Sequence, residues 1–160
     1  MKPRSRLALA ATCTLLCIGG QAAARPVSAS SEWAGTWRLD LARSRFSGAA
    51  PRGEIRRITL GNNRMSVRST VTPASGRDMH FNYSVTLDGR FHPLFGNPDG
   101  DSIALRLVNP RKVTIQVRRN GKPAATAVTE VSSNRLVMDR RRLELSGSPS
   151  EDVLVYDRVR

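Results

Sequence analysis

Apolar and polar residues alternate along most of the chain from about residue 32 to its end. The alternation is clearest over residues 79–87, 103–107 and 113–117, where every second residue is apolar. A period of two gives a β-strand one apolar face and one polar face. No stretch of ten residues shows the 3.6-residue period of an amphipathic helix. The pattern therefore predicts an all-β protein.

About ten short strands are predicted, separated by residues that favour turns. Asn120-Gly121 and Asp88-Gly89 are the clearest turns, because both pairs accept the positive φ angles that tight hairpins need. An antiparallel up-and-down meander of this kind leaves unpaired edges unless it closes on itself. We therefore expect a barrel of about 8–10 short strands. The other candidate strands are residues 36–39, 54–60, 64–72, 91–94, 123–131, 136–145 and 153–159.

The hairpin at Asn120-Gly121 predicts part of the interior. A two-residue loop there pairs Ile115 with Thr126 and turns both side chains inward. Small side chains inside a barrel either admit bulky neighbours or leave space for a ligand. The sequence leaves both alternatives open.

The N-terminus has the pattern of a cleaved Sec-type signal peptide. Three basic residues precede an uncharged apolar run over 7–18, and three alanines follow at 22–24. The apolar run is short for a membrane span, which needs about 20 residues. We expect cleavage of residues 1–24, a flexible segment at 25–31 and one domain over 32–160. The domain has no second apolar run of membrane length, so the protein is expected in the periplasm or the extracellular medium.

The net charge and the positions of the cysteines limit the partners and bonds that we expect for this protein. Three of the 26 basic residues and none of the 13 acidic residues lie in 1–24, so the remaining chain carries a net charge of +10. Such a charge attracts an anionic lipid, lipopolysaccharide or an acidic protein. Specific nucleic-acid binding is not expected, since the aromatic residues lie on faces that read as core. Both cysteines, Cys13 and Cys17, lie in the predicted signal peptide, so we expect no disulfide in the remaining chain. We also expect a monomer.

Gly35-Thr36-Trp37 begins the first strand and resembles the G-x-W signature of lipocalins and the wider calycin group. The stretch GTWRLDLARSRF, residues 35–46, together with residues 89–93, 96–101 and 154–157, is similar to a group of small exported bacterial proteins with a lipocalin-like barrel. The resemblance covers most of the chain after residue 24 and implies the fold. It implies no settled activity, because a fold does not fix a function.

The resemblance also implies roles for three residues. Gly35 and Trp37 would form the structural signature, with the tryptophan closing one end of the barrel. Arg158, in the last strand, would lie over the Trp37 ring in a cation–π contact. The chain departs from the group at His92, where an aromatic residue similar to tyrosine is expected.

The stretch LDGRFHPLFGNPDGD, residues 87–101, is rich in aspartate and glycine and contains His92. A two-residue turn at Asp88-Gly89 would pair His92 with Val85 and point it inward, whereas a three-residue loop would turn it outward. The spacing lacks the glutamate that completes a calcium loop, and two histidines without cysteine build no structural zinc site. We predict no metal, no cofactor and no catalytic residue.

Three functions remain, in decreasing order of preference. The first is a binding protein for a small hydrophobic or amphipathic ligand, acidic headgroups included. The second is a basic protein with a packed barrel that binds an anionic envelope component or a protein. The third is an enzyme on a calycin-like barrel. The predicted ligand-binding residues for the first are Phe81, Tyr83, His92, Phe95, Ile115 and Thr126.

Overall fold

The computed structural model describes residues 27–142 and 149–159, with the side chain of residue 142 excepted. The predicted signal peptide, residues 1–24, lies outside the described residues. A 3-10 helix, Ser31–Trp33, is followed by ten strands. No helix in the described part of the chain is long and apolar enough to cross a membrane. The strands are β1 (Gly35–Leu39), β2 (Gly53–Gly61), β3 (Arg64–Thr72), β4 (Met79–Thr86), β5 (His92–Pro93), β6 (Ser102–Asn109), β7 (Lys112–Arg119), β8 (Lys122–Val131), β9 (Arg135–Arg142) and β10 (Ser150–Arg158).

The ten strands form one antiparallel sheet in the order β4-β3-β2-β1-β10-β9-β8-β7-β6-β5. Strands that follow one another in the chain therefore lie side by side, as in an up-and-down meander, with the exception of β4 and β5, and β1 pairs with β10 to continue the sheet. β4 and β5 share no ladder. Two hydrogen bonds instead join the residues after β4 to β6, from Gly89 N to Leu105 O at 2.8 Å and from Leu107 N to Leu87 O at 3.3 Å. The result is a nearly closed barrel, which confirms the predicted all-β fold.

The hairpin between β7 and β8 differs from the prediction by one residue. Arg119 pairs with Lys122, as a two-residue Asn-Gly loop requires, but the register shifts between Val117 and Arg118. Because this β-bulge inserts one residue into β8, every later side chain changes face. Ile115 pairs with Ala127, whereas Thr126 pairs with Gln116 and is exposed on the outer face. The predicted inward pairing of Ile115 with Thr126 is therefore wrong.

One end of the barrel is closed by two tryptophans and an arginine. The Trp37 ring is fully buried, and the Arg158 guanidinium lies 4.3 Å from its centroid. Arg158 also donates to the carbonyls of Ser133 and Ala34, both at 2.7 Å, and to that of Glu32. This is the contact that the resemblance implied.

Gly35 and Trp33 complete the closed end. Gly35 has a φ angle of 150°, and a Cβ atom there would collide with the Arg158 guanidinium. The Trp33 Nε1 donates to Pro110 O at 2.9 Å, and the Trp33 carbonyl accepts from Trp37 Nε1 at 3.1 Å. The chain is anchored even before this helix, since Ser30 N donates to Pro110 O at 2.7 Å. The last residues of the segment predicted to be flexible thus have fixed partners.

Candidate functional site

The opposite end of the barrel contains a cavity of about 380 Å³. It lies beneath the connections that follow β1, β3 and β5, where residues 48–51, 73–75 and 97–99 surround it. Much of its wall is apolar and comes from inward faces of the strands. Five charged residues complete the wall. The main apolar residues are Leu39, Phe46, Val71, Met79, Phe81 and Leu154, and the charged ones are Glu54, Arg56, Asp99, Arg140 and Asp152.

Two of the charged residues, Glu54 and Arg56, lie on β2. Because strand side chains alternate, residues two apart share a face, and here both point into the barrel with 7% and 6% exposure. Glu54 Oε1 accepts from Arg56 Nε at 3.0 Å and from Nη2 at 2.8 Å. Both nitrogens donate to one oxygen, so these are charge-assisted hydrogen bonds that leave Glu54 Oε2 for another donor. Taking both charges out of water is costly, and the pairing offsets that cost.

Tyr156 on β10 fixes the other side of the pair. Its hydroxyl donates to Glu54 Oε2 at 2.8 Å, and the Arg56 guanidinium lies 4.9 Å from the centre of its ring. Burial, more than any other effect, raises the pKa of Tyr156, so the phenol keeps its proton. Burial alone would raise the pKa of Glu54, but the charge and hydrogen bonds of Arg56 and the Tyr156 hydroxyl hold it below its usual value. Glu54 is therefore ionised at neutral pH.

A second ion pair lies nearer to the mouth. Arg140 Nη2 donates to Asp152 Oδ2 at 2.8 Å, and Asp152 is almost fully buried. Asp152 Oδ1 also accepts from the backbone N of Ser47 at 2.9 Å and from its hydroxyl at 2.8 Å. Burial opposes ionisation of Asp152, yet these hydrogen bonds and the charge of Arg140 lower its pKa. Arg140 Nη1 lies 3.8 Å from Asp99, which is on the loop between β5 and β6.

Three of the six predicted ligand-binding residues lie on the inner face. Phe81 lines the cavity, whereas Tyr83 and Ile115 pack against the hydrophobic core. Tyr83 also lies within reach of the charges of Arg56 and Glu54, and burial raises the pKa of its hydroxyl. Tyr83 and Ile115 thus belong to the packed part of the barrel, and Phe81 belongs to the open part.

The other three predicted residues do not line the cavity. Thr126 is on the outer face because the β-bulge in β8 shifts its register by one residue. Phe95 is 81% exposed and does not line the cavity. His92 pairs with Ile103 on β6 rather than with Val85, because β4 and β5 share no ladder. Its Nε2 lies 3.0 Å from the hydroxyl of Thr86, so the ring bridges the gap between the two strands.

Four charged residues at the site escaped the sequence analysis: Glu54, Arg56, Arg140 and Asp152. On β2 the true inward face carries Glu54 and Arg56 before Ile58, while the apolar Ile55 points outward with 39% exposure. The binary pattern assumes polar residues on the solvent side, so it gives no warning of an inward ion pair. The available signal was the spacing of Glu54 and Arg56, which share a face with the buried Ile58.

The described residues contain no group of three or more histidine, cysteine, aspartate or glutamate side chains placed to hold a metal ion. The charged groups of the cavity are instead arginines and carboxylates in pairs, and the phenol of Tyr156 holds one of the carboxylates from behind the wall. Such groups orient a ligand through hydrogen bonds, while the apolar wall provides the area that a ligand buries.

No family model matches the chain, and no curated protein sequence matches it. Solved structures do. The chain is similar to the Schistosoma mansoni fatty acid binding protein in complex with arachidonic acid, with a TM-score of 0.58, 10% identity and coverage of 83% of this chain and 100% of that one.

Two further structures have the same architecture. As-p18, an extracellular fatty acid binding protein, is 14% identical with a TM-score of 0.58, over 82% of this chain and 99% of that one. The zebrafish ileal bile acid-binding protein complexed with cholic acid is 15% identical with a TM-score of 0.50, over 81% and 100%. At these identities the similarity establishes the fold alone, a ten-stranded antiparallel barrel.

Proposed function

We propose that this protein binds a small hydrophobic or amphipathic molecule in the cavity at the open end of its barrel. The observation that carries the proposal is the difference between the two ends. One end is filled by Trp33, Trp37 and Arg158, whereas the other holds about 380 Å³ of space beside apolar side chains. Ligand sites in proteins have volumes of about 300–1,000 Å³.

The energetic basis is the burial of an apolar chain against Leu39, Phe46, Phe81 and Leu154. Each Å² of apolar surface removed from water contributes about 25 cal/mol, so a chain that buries about 200 Å² gains about 5 kcal/mol. The proteins with a similar barrel bind a fatty acid or a bile acid according to their names. These similarities support a ligand of the same general kind, with an apolar body and one polar group.

Two measurements test the proposal. Organic extraction of the purified protein followed by mass spectrometry should release a bound amphiphile. Titration with N-phenyl-1-naphthylamine, an uncharged apolar fluorophore, should show saturable binding that is lost in Ala49→Trp, because Ala49 lines the mouth. The control is Ala42→Trp, an equal change at an exposed residue outside the cavity. Equal dye binding by both variants would contradict the proposal.

We further propose that the protein acts outside the cytoplasm, on the strength of the signal-peptide pattern in residues 1–24. An exported carrier without a disulfide depends on packing alone, and the closed end supplies such packing. Fractionation of cells that express the full chain tests this proposal. N-terminal sequencing of the protein outside the cytoplasm should begin near residue 25, whereas an intact N-terminus in the cytoplasm would contradict export.

A further inference from the structure

We propose that the cavity selects an uncharged amphiphile, one whose apolar chain ends in a hydroxyl, ester or other neutral oxygen group, over a free carboxylic acid of the same chain. This inference rests on the proposed function and names the chemical class of its ligand. It differs from the simplest expectation for an arginine-rich barrel, in which an inward arginine would bind an acidic headgroup.

Both arginines of the cavity wall already pair with a protein carboxylate. Arg56 donates its Nε and Nη2 to Glu54, and Arg140 donates its Nη2 to Asp152. An incoming carboxylate would have to displace a protein carboxylate that is already buried and hydrogen-bonded. That exchange gains no ion pair, and at Arg56 it leaves Glu54 as a negative charge without its arginine in a poorly solvated site.

The net charge of the cavity lining also disfavours a ligand carboxylate. Arg56 and Arg140 face Glu54, Asp99 and Asp152, so the described lining of the cavity carries one net negative charge. Charges within a partly desolvated site interact more strongly than charges in water. A further carboxylate in this site is therefore repelled, whereas a neutral group is not.

Two donors remain for a neutral oxygen: Arg140 Nε, which is buried without a hydrogen-bond partner among the described residues, and Arg56 Nη1. Among the described residues, the acceptor that faces Arg56 Nη1 is the thioether sulfur of Met138, at 3.9 Å. A thioether is a weak hydrogen-bond acceptor, so a ligand hydroxyl or carbonyl oxygen beside Nη1 would form a stronger hydrogen bond with it. Such an oxygen would not disturb the pairing of Arg56 with Glu54, which uses Nε and Nη2.

The test compares three ligands with one chain: dodecanol, dodecanoate and dodecylammonium, each at pH 8 as a competitor of N-phenyl-1-naphthylamine. We expect dodecanol to displace the dye at a concentration at least roughly tenfold lower than dodecanoate. Equal or tighter binding of dodecanoate would overturn the inference and leave the proposed function standing. Tightest binding of dodecylammonium would also overturn it, since the net charge alone would then decide selection.

Charge variants sharpen the test. Glu54→Gln frees Arg56 and should reverse the preference in favour of dodecanoate, whereas Glu130→Gln should not. Glu130 is a matched control because it is exposed on the outer face and is paired with Lys112 at 2.7 Å. An unchanged preference for dodecanol in folded Glu54→Gln would contradict the role of the pair.

Since Glu54→Gln removes one partner of a buried pair, a milder variant guards against loss of the fold. Asp99→Asn neutralises a partly exposed loop carboxylate whose nearest cation, Arg140 Nη1, is 3.8 Å away. This variant should reduce the ratio of the affinities for dodecanol and dodecanoate several-fold. A difference equal to that of the wild type would contradict the inference. If no alkyl ligand and no dye binds the wild type, the proposed function itself fails, which is a distinct result.

Discussion

The two ends of this barrel each place the guanidinium of an arginine over an aromatic ring, but they satisfy its charge differently. At the closed end, Arg158 lies over Trp37 and donates to backbone carbonyls. At the open end, Arg56 lies near Tyr156 and donates to the carboxylate of Glu54. Carbonyls are fixed by the backbone and do not titrate, whereas a carboxylate can be protonated, replaced or made to compete with a ligand.

This difference suggests a division of labour between the two ends. The closed end joins the chain before β1, the first strand and the last strand through contacts that need no ligand and no particular pH. The open end combines a cavity with paired charges, which is a costly arrangement for stability alone because buried ion pairs are seldom better than apolar packing. We interpret the closed end as the stabilising part and the open end as the binding part.

The largest expected effect is at the closed end. Trp37→Ala should lower the free energy of unfolding by about 3–5 kcal/mol, because it removes a fully buried aromatic side chain and leaves a cavity. Urea denaturation measures the loss. Where the variant stays folded, its affinity for the dye should equal that of the wild type, and a selective loss of dye binding without a loss of stability would contradict the division.

Removing one partner of the buried Glu54–Arg56 pair should lower the unfolding free energy more than replacing both partners by apolar residues. Glu54→Gln alone should cost about 3 kcal/mol of unfolding free energy, because it leaves Arg56 buried without its partner. The double variant Glu54→Leu with Arg56→Met removes both charges but leaves the Tyr156 hydroxyl without its acceptor. Its unfolding free energy should therefore lie within about 2 kcal/mol of the wild type and above that of Glu54→Gln. Denaturation of all three proteins tests this, and a double variant that is less stable than Glu54→Gln would show that the pair stabilises the barrel in its own right.

Acid should weaken the stabilising contacts of the open end more than those of the closed end. The folded pKa values of Glu54 and Asp152 lie below their ordinary values of 4.5 and 3.8. Their contribution to stability is therefore complete above those values and is lost as the pH falls through the lower folded pKa values. Between pH 5 and pH 2, the unfolding free energy of the wild type should fall more steeply than that of the Glu54→Leu, Arg56→Met variant. Parallel curves would contradict the assignment for Glu54.

The smallest expected effect concerns Phe95. Because its ring is 81% exposed and outside the cavity wall, Phe95→Ser should change the unfolding free energy by less than about 0.5 kcal/mol. Dye affinity should also stay within about twofold of the wild type. Denaturation and dye titration test both expectations. A large loss of affinity would mean that Phe95 closes over a bound ligand.

The strands were largely predictable from the sequence, and much of the site was not. Alternating apolar residues and Asn-Gly or Asp-Gly turns identify strands such as β4 and β7, since both signals are local. Thr126 was misplaced because a bulge after Val117 shifts the register, and a bulge leaves no clear mark in the binary pattern. Glu54 and Arg56 were missed because their inward placement is stabilised by Tyr156, about a hundred residues along the chain.

The most direct test of the account is the position of a bound ligand. Protein complexed with dodecanol, observed by NMR with isotope-filtered NOEs, should show contacts between the alkyl chain and the methyl groups of Leu39, Val71 and Leu154, which line the open end. The rings of Trp33 and Trp37 should show none. NOEs to these tryptophans, or only to exposed residues such as Phe95 and Thr126, would contradict the assignment of the open end as the binding site.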